Sequence, residues 1–278
     1  VLSAFTDPTA CIQLIGMIAG FGVVLEALQY VSLQHLFQES QMWSWSVLKH
    51  RQSWLHGSDL LARFWDRVLG YPGIVVLLGV RVVAGLLLLL SSGALGLQVL
   101  GLSAAFFTRA LLDMRHRFMV GAENMLKIVI GALVLGHLSP HDPVLLEACL
   151  WGIALQSCWS YCANGWIKWH SSAWRCGDAM QLVAESKLYG SKRLSALLQV
   201  WPVLTKGFTW SAMILETAFP LVLVLGKPAC WFFLGWGVVF HTFNAIFIGL
   251  NTFVPSFLVT YPAIWFVSIR IESIISTI

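Results

Sequence analysis

From residue 72 to residue 91 the chain reads PGIVVLLGVRVVAGLLLLLS, an apolar run broken by one charge, Arg81. Lipid offers no water to pair backbone N–H and C=O groups, so such a run must fold as a helix that satisfies them within itself. About twenty residues cross the hydrocarbon core. The same test picks out eight candidate spans, at roughly 11–33, 72–91, 94–113, 119–137, 144–167, 200–226, 228–250 and 254–275. Ser91, Ser92 and Gly93 form a tight link between the second and third, and Pro140 and Pro143 break the chain after the fourth. The expectation is an all-α membrane protein, a polytopic bundle of about eight transmembrane helices forming a single domain over residues 1–278. The first run is too long for the h-region of a signal peptide, so it reads as a span that stays.

Composition agrees. Hydrophobic residues make up 58% of the 278 and charged ones 11%, against roughly 25% charged in globular proteins. That leaves too little polar surface to coat a soluble domain of this length. The net charge of +4 comes from loops rather than from a basic stripe, which excludes a nucleic-acid footprint and leaves a topology signal. Lys49, Arg51, Arg63 and Arg67, then Arg109, Arg115 and Arg117, then Lys168, Arg175, Lys187, Lys192 and Arg193 all fall on one side, while the opposite loops contribute only Lys227. The positive-inside rule places the basic loops in the cytoplasm and both termini opposite.

Cys11, Cys149, Cys158, Cys162, Cys176 and Cys230 are scattered without a C-x-x-C, so they read as packing residues rather than a metal site or disulfide framework. Two basic stretches have amphipathic spacing. Residues 58–69 set Leu61, Phe64, Trp65, Val68 and Leu69 against Asp59, Arg63, Asp66 and Arg67, with Ser58 to cap the start; residues 178–189 carry Met180, Val183 and Leu188 on one face. Each predicts a helix lying on the bilayer or against the spans. Many of the fourteen tryptophans, Trp54 among them, fall near span ends, as an interfacial belt requires.

An ionisable group inside a span needs a partner or water. Glu123 and Lys127, four apart, can pair on one helix face. Arg109, Asp113 and Arg117 form a similar ladder. Glu26 and Arg81 could pair across the bundle. Glu216 precedes Pro220 by four residues, where a kink would open a pocket, and His241 and Asn244 share a face. Lys168 closes a span among Trp166, Trp169 and Trp174. It is either an anchor reaching for the headgroups or a base desolvated in a Trp-lined pocket.

The stretch Tyr161-Cys-Ala-Asn-Gly-Trp-Ile-Lys168, with Trp174-Arg-Cys-Gly-Asp-Ala-Met180 after a short loop, resembles the membrane domain of vitamin K-dependent gamma-glutamyl carboxylases and the wider family of horizontally transferred transmembrane domain proteins. His241-Thr-Phe-Asn244, with Phe247, Gly249, Phe253 and Pro262, is similar to a second landmark of that family, and Val120-Gly-Ala-Glu-Asn-Met-Leu126 to a third. The matches cover about residues 110–265. The resemblance implies a carboxylase-like core in which Lys168 is the base and His241 and Asn244 are polar pocket groups. Trp166, Trp174 and Glu216 are pocket candidates beside a quinone- or lipid-like ligand. The alternative is a non-catalytic accessory subunit of a larger membrane complex, with membrane lipids and other subunits as partners. A transporter or channel fits less well, because no inverted repeat is visible.

Overall fold

The computed structural model describes residues 5–51, 59–91, 94–115, 121–187 and 189–277. Among them every regular element is helical. The principal helices are α1 (Pro8–Ser32), α2 (Asp59–Leu69), α3 (Gly73–Leu90), α4 (Leu95–Arg115), α5 (Gly121–Leu138) and α6 (Pro143–Trp169). They continue as α7 (Ala179–Glu185), α8 (Lys192–Val200), α9 (Pro202–Ala218), α10 (Gly226–Phe243), α11 (Phe253–Leu258) and α12 (Tyr261–Thr277). Ser58, Ser92, Gly93, Arg117, Val120, Leu188 and Trp54 lie outside the described residues.

Among the described residues, six segments are long and apolar enough to cross a membrane: α1, α3, α4, α5, Gly226–Ile248 and Phe253–Thr277. The expected count of about eight spans is corrected accordingly. α6 has the length, at 27 residues, but Gln156, Ser157, Trp159, Ser160 and Asn164 dilute its apolar run. α9 is only 17 residues long. Its chain passes at Phe219 into a 3-10 turn holding Pro220, whose ring removes a backbone donor and blocks continuation of the α-helix.

The chain divides into two compact units, Ile12–His141 and a second one of Asp142–Ile278 with the first eleven residues. In the first, α1 and α3 approach through glycine. A Cβ on Gly20 would lie 2.7 Å from the Gly85 carbonyl oxygen, so only small residues permit this contact. α2 exposes Leu60, Leu61 and Phe64 and is tied down on its other face, where Trp45 Nε1 donates to Asp66 at 2.8 Å and Lys49 pairs with the same carboxylate at 3.2 Å. The second predicted amphipathic helix is shorter than its pattern: α7 ends at Glu185, and Ser186 turns extended.

Six charges of the first unit meet in one network. Glu26 accepts from Arg81 at 2.6 Å and from Arg109 at 2.5 Å. Arg109 also reaches Asp113 at 2.5 Å and Glu123 at 2.9 Å. Tyr30 donates to Glu123 at 2.7 Å, and Lys127 closes the rim on Asp113 at 2.9 Å. The second Arg81 nitrogen is bound by the Ala105 carbonyl at 2.8 Å and Thr108 at 3.2 Å. The Glu123–Lys127 pair expected on α5 is therefore not made. Glu123 turns inward to a buried arginine and Lys127 outward to α4, because a guanidinium on a neighbouring helix neutralises a buried carboxylate better than a solvated lysine on its own helix.

Candidate functional site

The predicted site residues all fall in the second unit, where α6 packs along α9 and α12. Asp142 starts α6 by accepting from Val144 N at 2.9 Å and Leu145 N at 3.4 Å, with Pro143 at the first helical position. Close to the far end of α6, Gly165 allows α9 to approach to backbone contact: a Cβ there would collide with the amide nitrogen and hydroxyl of Thr217. That approach brings Lys168 to Glu216.

Lys168 Nζ is ion-paired with Glu216 Oε2. The Glu216 side chain is 5% exposed and that of Lys168 17%. The ammonium also lies 5.0 Å above the Trp174 ring, within cation–π range, and 3.5 Å from the Asn164 carbonyl. Trp169 braces the same helix pair by donating to Thr217 Oγ1 at 3.0 Å. Trp174 sits on a short helix, Ser172–Cys176, that Gly177 terminates at φ 88°, a left-handed conformation that glycine adopts without strain. Trp166 is 61% exposed and packs edge-on against His170, while the ring beneath the Lys168 amine is that of Trp174. The amine is turned into a carboxylate.

His241 lies elsewhere in the unit, 2% exposed. Its Nε2 is 2.6 Å from Tyr161 Oη, which is in turn 3.0 Å from Tyr261 Oη. The imidazole stacks on Phe257 at 4.5 Å and Tyr161 on Phe219 at 3.8 Å. Gly237 makes room for the pair of phenols, since a Cβ there would strike Tyr261 Oη. His241 Nδ1 is buried without a hydrogen bond. Tyr261 was not singled out from sequence, although a tyrosine in an apolar run carries a signal: its buried hydroxyl needs a partner.

Asn244, three residues after His241, faces a different space. It begins a π-helical turn, Asn244–Ile248, that Gly249 closes at φ 81°. Turns of this kind are rare and cluster at functional sites. Asn244, four residues on from Phe240 and eight from Trp236, lines with them a cavity of about 220 Å³ between α7, α9 and α10. Its wall is Met180, Phe208, Ala212, Trp236, Val239, Phe240 and Phe243, with Ser211 and Asn244 as the polar members. Ser211 already donates to the Phe208 carbonyl at 3.1 Å. The Asn244 amide makes no hydrogen bond to any described residue. Lys168, Glu216, Trp166, Trp174 and His241 do not line this cavity. Where one pocket was expected the structure holds three polar features, an ion pair, a phenol–imidazole–phenol cluster, and an amide in an aromatic cavity, the last two adjoining through Trp236 at 6.3 Å from Tyr161 and Phe240 at 5.2 Å from His241. No protein-family model, curated protein or solved structure matches the chain.

Proposed function

We propose that this chain is a multi-pass membrane protein whose second unit holds a ring-bearing, quinone- or lipid-like molecule in the cavity at Asn244. The observation that carries the reading is a single unbonded amide set in a wall of four aromatic rings, Phe208, Trp236, Phe240 and Phe243. An apolar wall supplies affinity and one polar group fixes orientation, the usual division of labour in small-molecule sites. The volume of about 220 Å³ exceeds the ~150 Å³ that admits a benzene ring. It suits the ring of a tailed molecule, with Asn244 donating to a ring oxygen. The resemblance to carboxylase membrane domains favours a quinone over other rings, and proposes Lys168 as the base. In that role the amine must leave Glu216 and the ring must extend to it beyond the cavity, whose lining Lys168 does not share.

The test is purification of the full chain in mild detergent, followed by mass spectrometry of the extracted small molecules. The expected result is one quinone- or isoprenoid-like compound near equimolar amount, lost in Asn244→Leu and in the cavity-filling Ala212→Phe. Bulk phospholipid alone in the wild type, or unchanged retention in both variants, sinks the reading. A second reading, a non-catalytic subunit of a membrane complex, is favoured by the Lys168–Glu216 ion pair, which engages the candidate base structurally. Partner chains co-purifying at fixed ratio with no organic ligand would select it.

A further inference from the structure

The segment between α6 and α9 carries polar groups that the cavity at Asn244 does not use. α7 and α8 pack together through Met180, Ala184, Leu194 and Leu198. Beside them run two adjoining grooves of about 290 and 430 Å³ that share Glu185 and Gln199. The hydrogen bonds orient both glutamine amides. Gln181 Nε2 donates to Glu185 Oε1, and to Ser195 Oγ at 3.2 Å. Gln199 Nε2 donates to the same two atoms, each at 3.3 Å.

Both NH₂ groups are thus directed at Glu185 and Ser195, and both carbonyl oxygens are left without a donor. Gln181 Oε1 is buried with no hydrogen bond, and the Gln199 carbonyl accepts none from any described residue. Flipping either amide would set its oxygen against the Glu185 carboxylate, so the orientation follows from charge. The Asp178 side chain on the same groove caps no helix. Asp178, Glu185 and Gln199 present acceptors to the two grooves, and Lys192 and Lys206 present ammonium groups. At the groove's edge Lys206 has no ion-pair partner among the described residues. Leu182, Leu197, Val200, Trp201 and Val203 are exposed around it, an apolar and tryptophan-bearing fringe of the kind found at the level of lipid headgroups.

We propose that this groove binds the headgroup of an aminophospholipid, its primary ammonium on Glu185 and the Gln199 carbonyl and its phosphate on Lys206. The hydrogen bonds from Gln181 and Gln199 hold the Glu185 carboxyl below the usual carboxylate range, so the ammonium meets a charged acceptor. Phosphatidylethanolamine supplies three N–H donors. Phosphatidylcholine carries the same charge with none, and would make no hydrogen bond to the Glu185 carboxylate or the Gln199 carbonyl.

The experiment presents the full chain with equal amounts of the two lipids bearing identical acyl chains and counts bound lipid by native mass spectrometry. Phosphatidylethanolamine is expected to be retained about tenfold over phosphatidylcholine, the worth of one charge-assisted hydrogen bond. Glu185→Gln and Lys206→Ala, both on exposed side chains, should bring that ratio to within about twofold, with helicity by circular dichroism unchanged. Equal retention of the two lipids by the wild type overturns the proposal, as does a preference that survives both variants. Displacement of the lipid by equimolar soluble phosphoethanolamine would reassign the groove to a free amine and overturn the lipid as occupant. None of these outcomes depends on what fills the cavity at Asn244.

Discussion

Arg81 Nη2 lies 2.6 Å from Glu26 Oε2 across 55 residues of chain, with both side chains sealed from solvent. Glu26 holds Arg109 as well, at 2.5 Å. Three cations (Arg81, Arg109, Lys127) and three carboxylates (Glu26, Asp113, Glu123) balance in this network. Glu26→Ala leaves two buried guanidinium groups without their deepest partner, and the loss of stability should reach about 3–5 kcal/mol.

Asp113→Asn acts at the rim of the same network, where the carboxylate is 26% exposed. Water takes over part of its role, and the cost should be about 1 kcal/mol or less. Thermal unfolding of both variants in one detergent measures the difference. Equal losses would mean that depth within the network carries no energetic weight.

Lys168 and Glu216 call for a double-mutant cycle. Lys168→Met leaves a buried carboxylate unpaired and Glu216→Leu leaves its lysine partner unpaired; each should cost about 3 kcal/mol. The double variant replaces both by apolar groups of similar size, and should recover most of that loss. Additive losses in the double variant would show that the two side chains do not act as a pair.

How much of this was legible beforehand depends on whether the deciding contact is local. Helix existence was legible, because lipid-length apolar runs have few alternatives. The pairing of Glu26 with Arg81 was legible as a candidate, since each is a costly charge in an otherwise apolar span. The partner of Glu123 was misread because the i,i+4 rule sees only one helix, whereas its partners Arg109 and Tyr30 come from two others. Lys168 and Glu216 were each conspicuous alone. Their meeting depends on Gly165 letting two backbones touch, which spacing along either helix does not encode. The cavity was hidden for a related reason: its wall is assembled from three helices, so spacing along α10 shows the Trp236–Phe240–Asn244 row but not the Met180 and Phe208 that complete it.

Gly165 accordingly offers a third test. Gly165→Ala places a methyl group against the Thr217 backbone, and α6 and α9 must part to admit it. Overpacking of this kind costs about 1–3 kcal/mol. It should also loosen the ion pair one turn away, raising the reactivity of Lys168 toward an amine-acylating reagent. Gly152→Ala, on the same helix with open space at its Cβ, is the control. Identical acylation of Lys168 in the wild type and the Gly165 variant would uncouple the helix contact from the pair.

The phenol–imidazole–phenol cluster yields the last expectation. Tyr161 is its middle member, 2.6 Å from His241 and 3.0 Å from Tyr261. Tyr161→Phe keeps the ring stacked on Phe219 but strips the His241 imidazole of its one hydrogen bond among the described residues, since Nδ1 has none there. The cost should be about 2–3 kcal/mol, that of a buried polar group left unsatisfied. Tyr261→Phe leaves the Tyr161–His241 bond intact and should cost about 1 kcal/mol. In Tyr161→Phe/His241→Phe both partners become apolar, and the double variant should be more stable than Tyr161→Phe alone. Unfolding midpoints in detergent rank the three. Equal losses for the two tyrosine variants would show that His241 does not depend on Tyr161, and that packing alone holds the cluster.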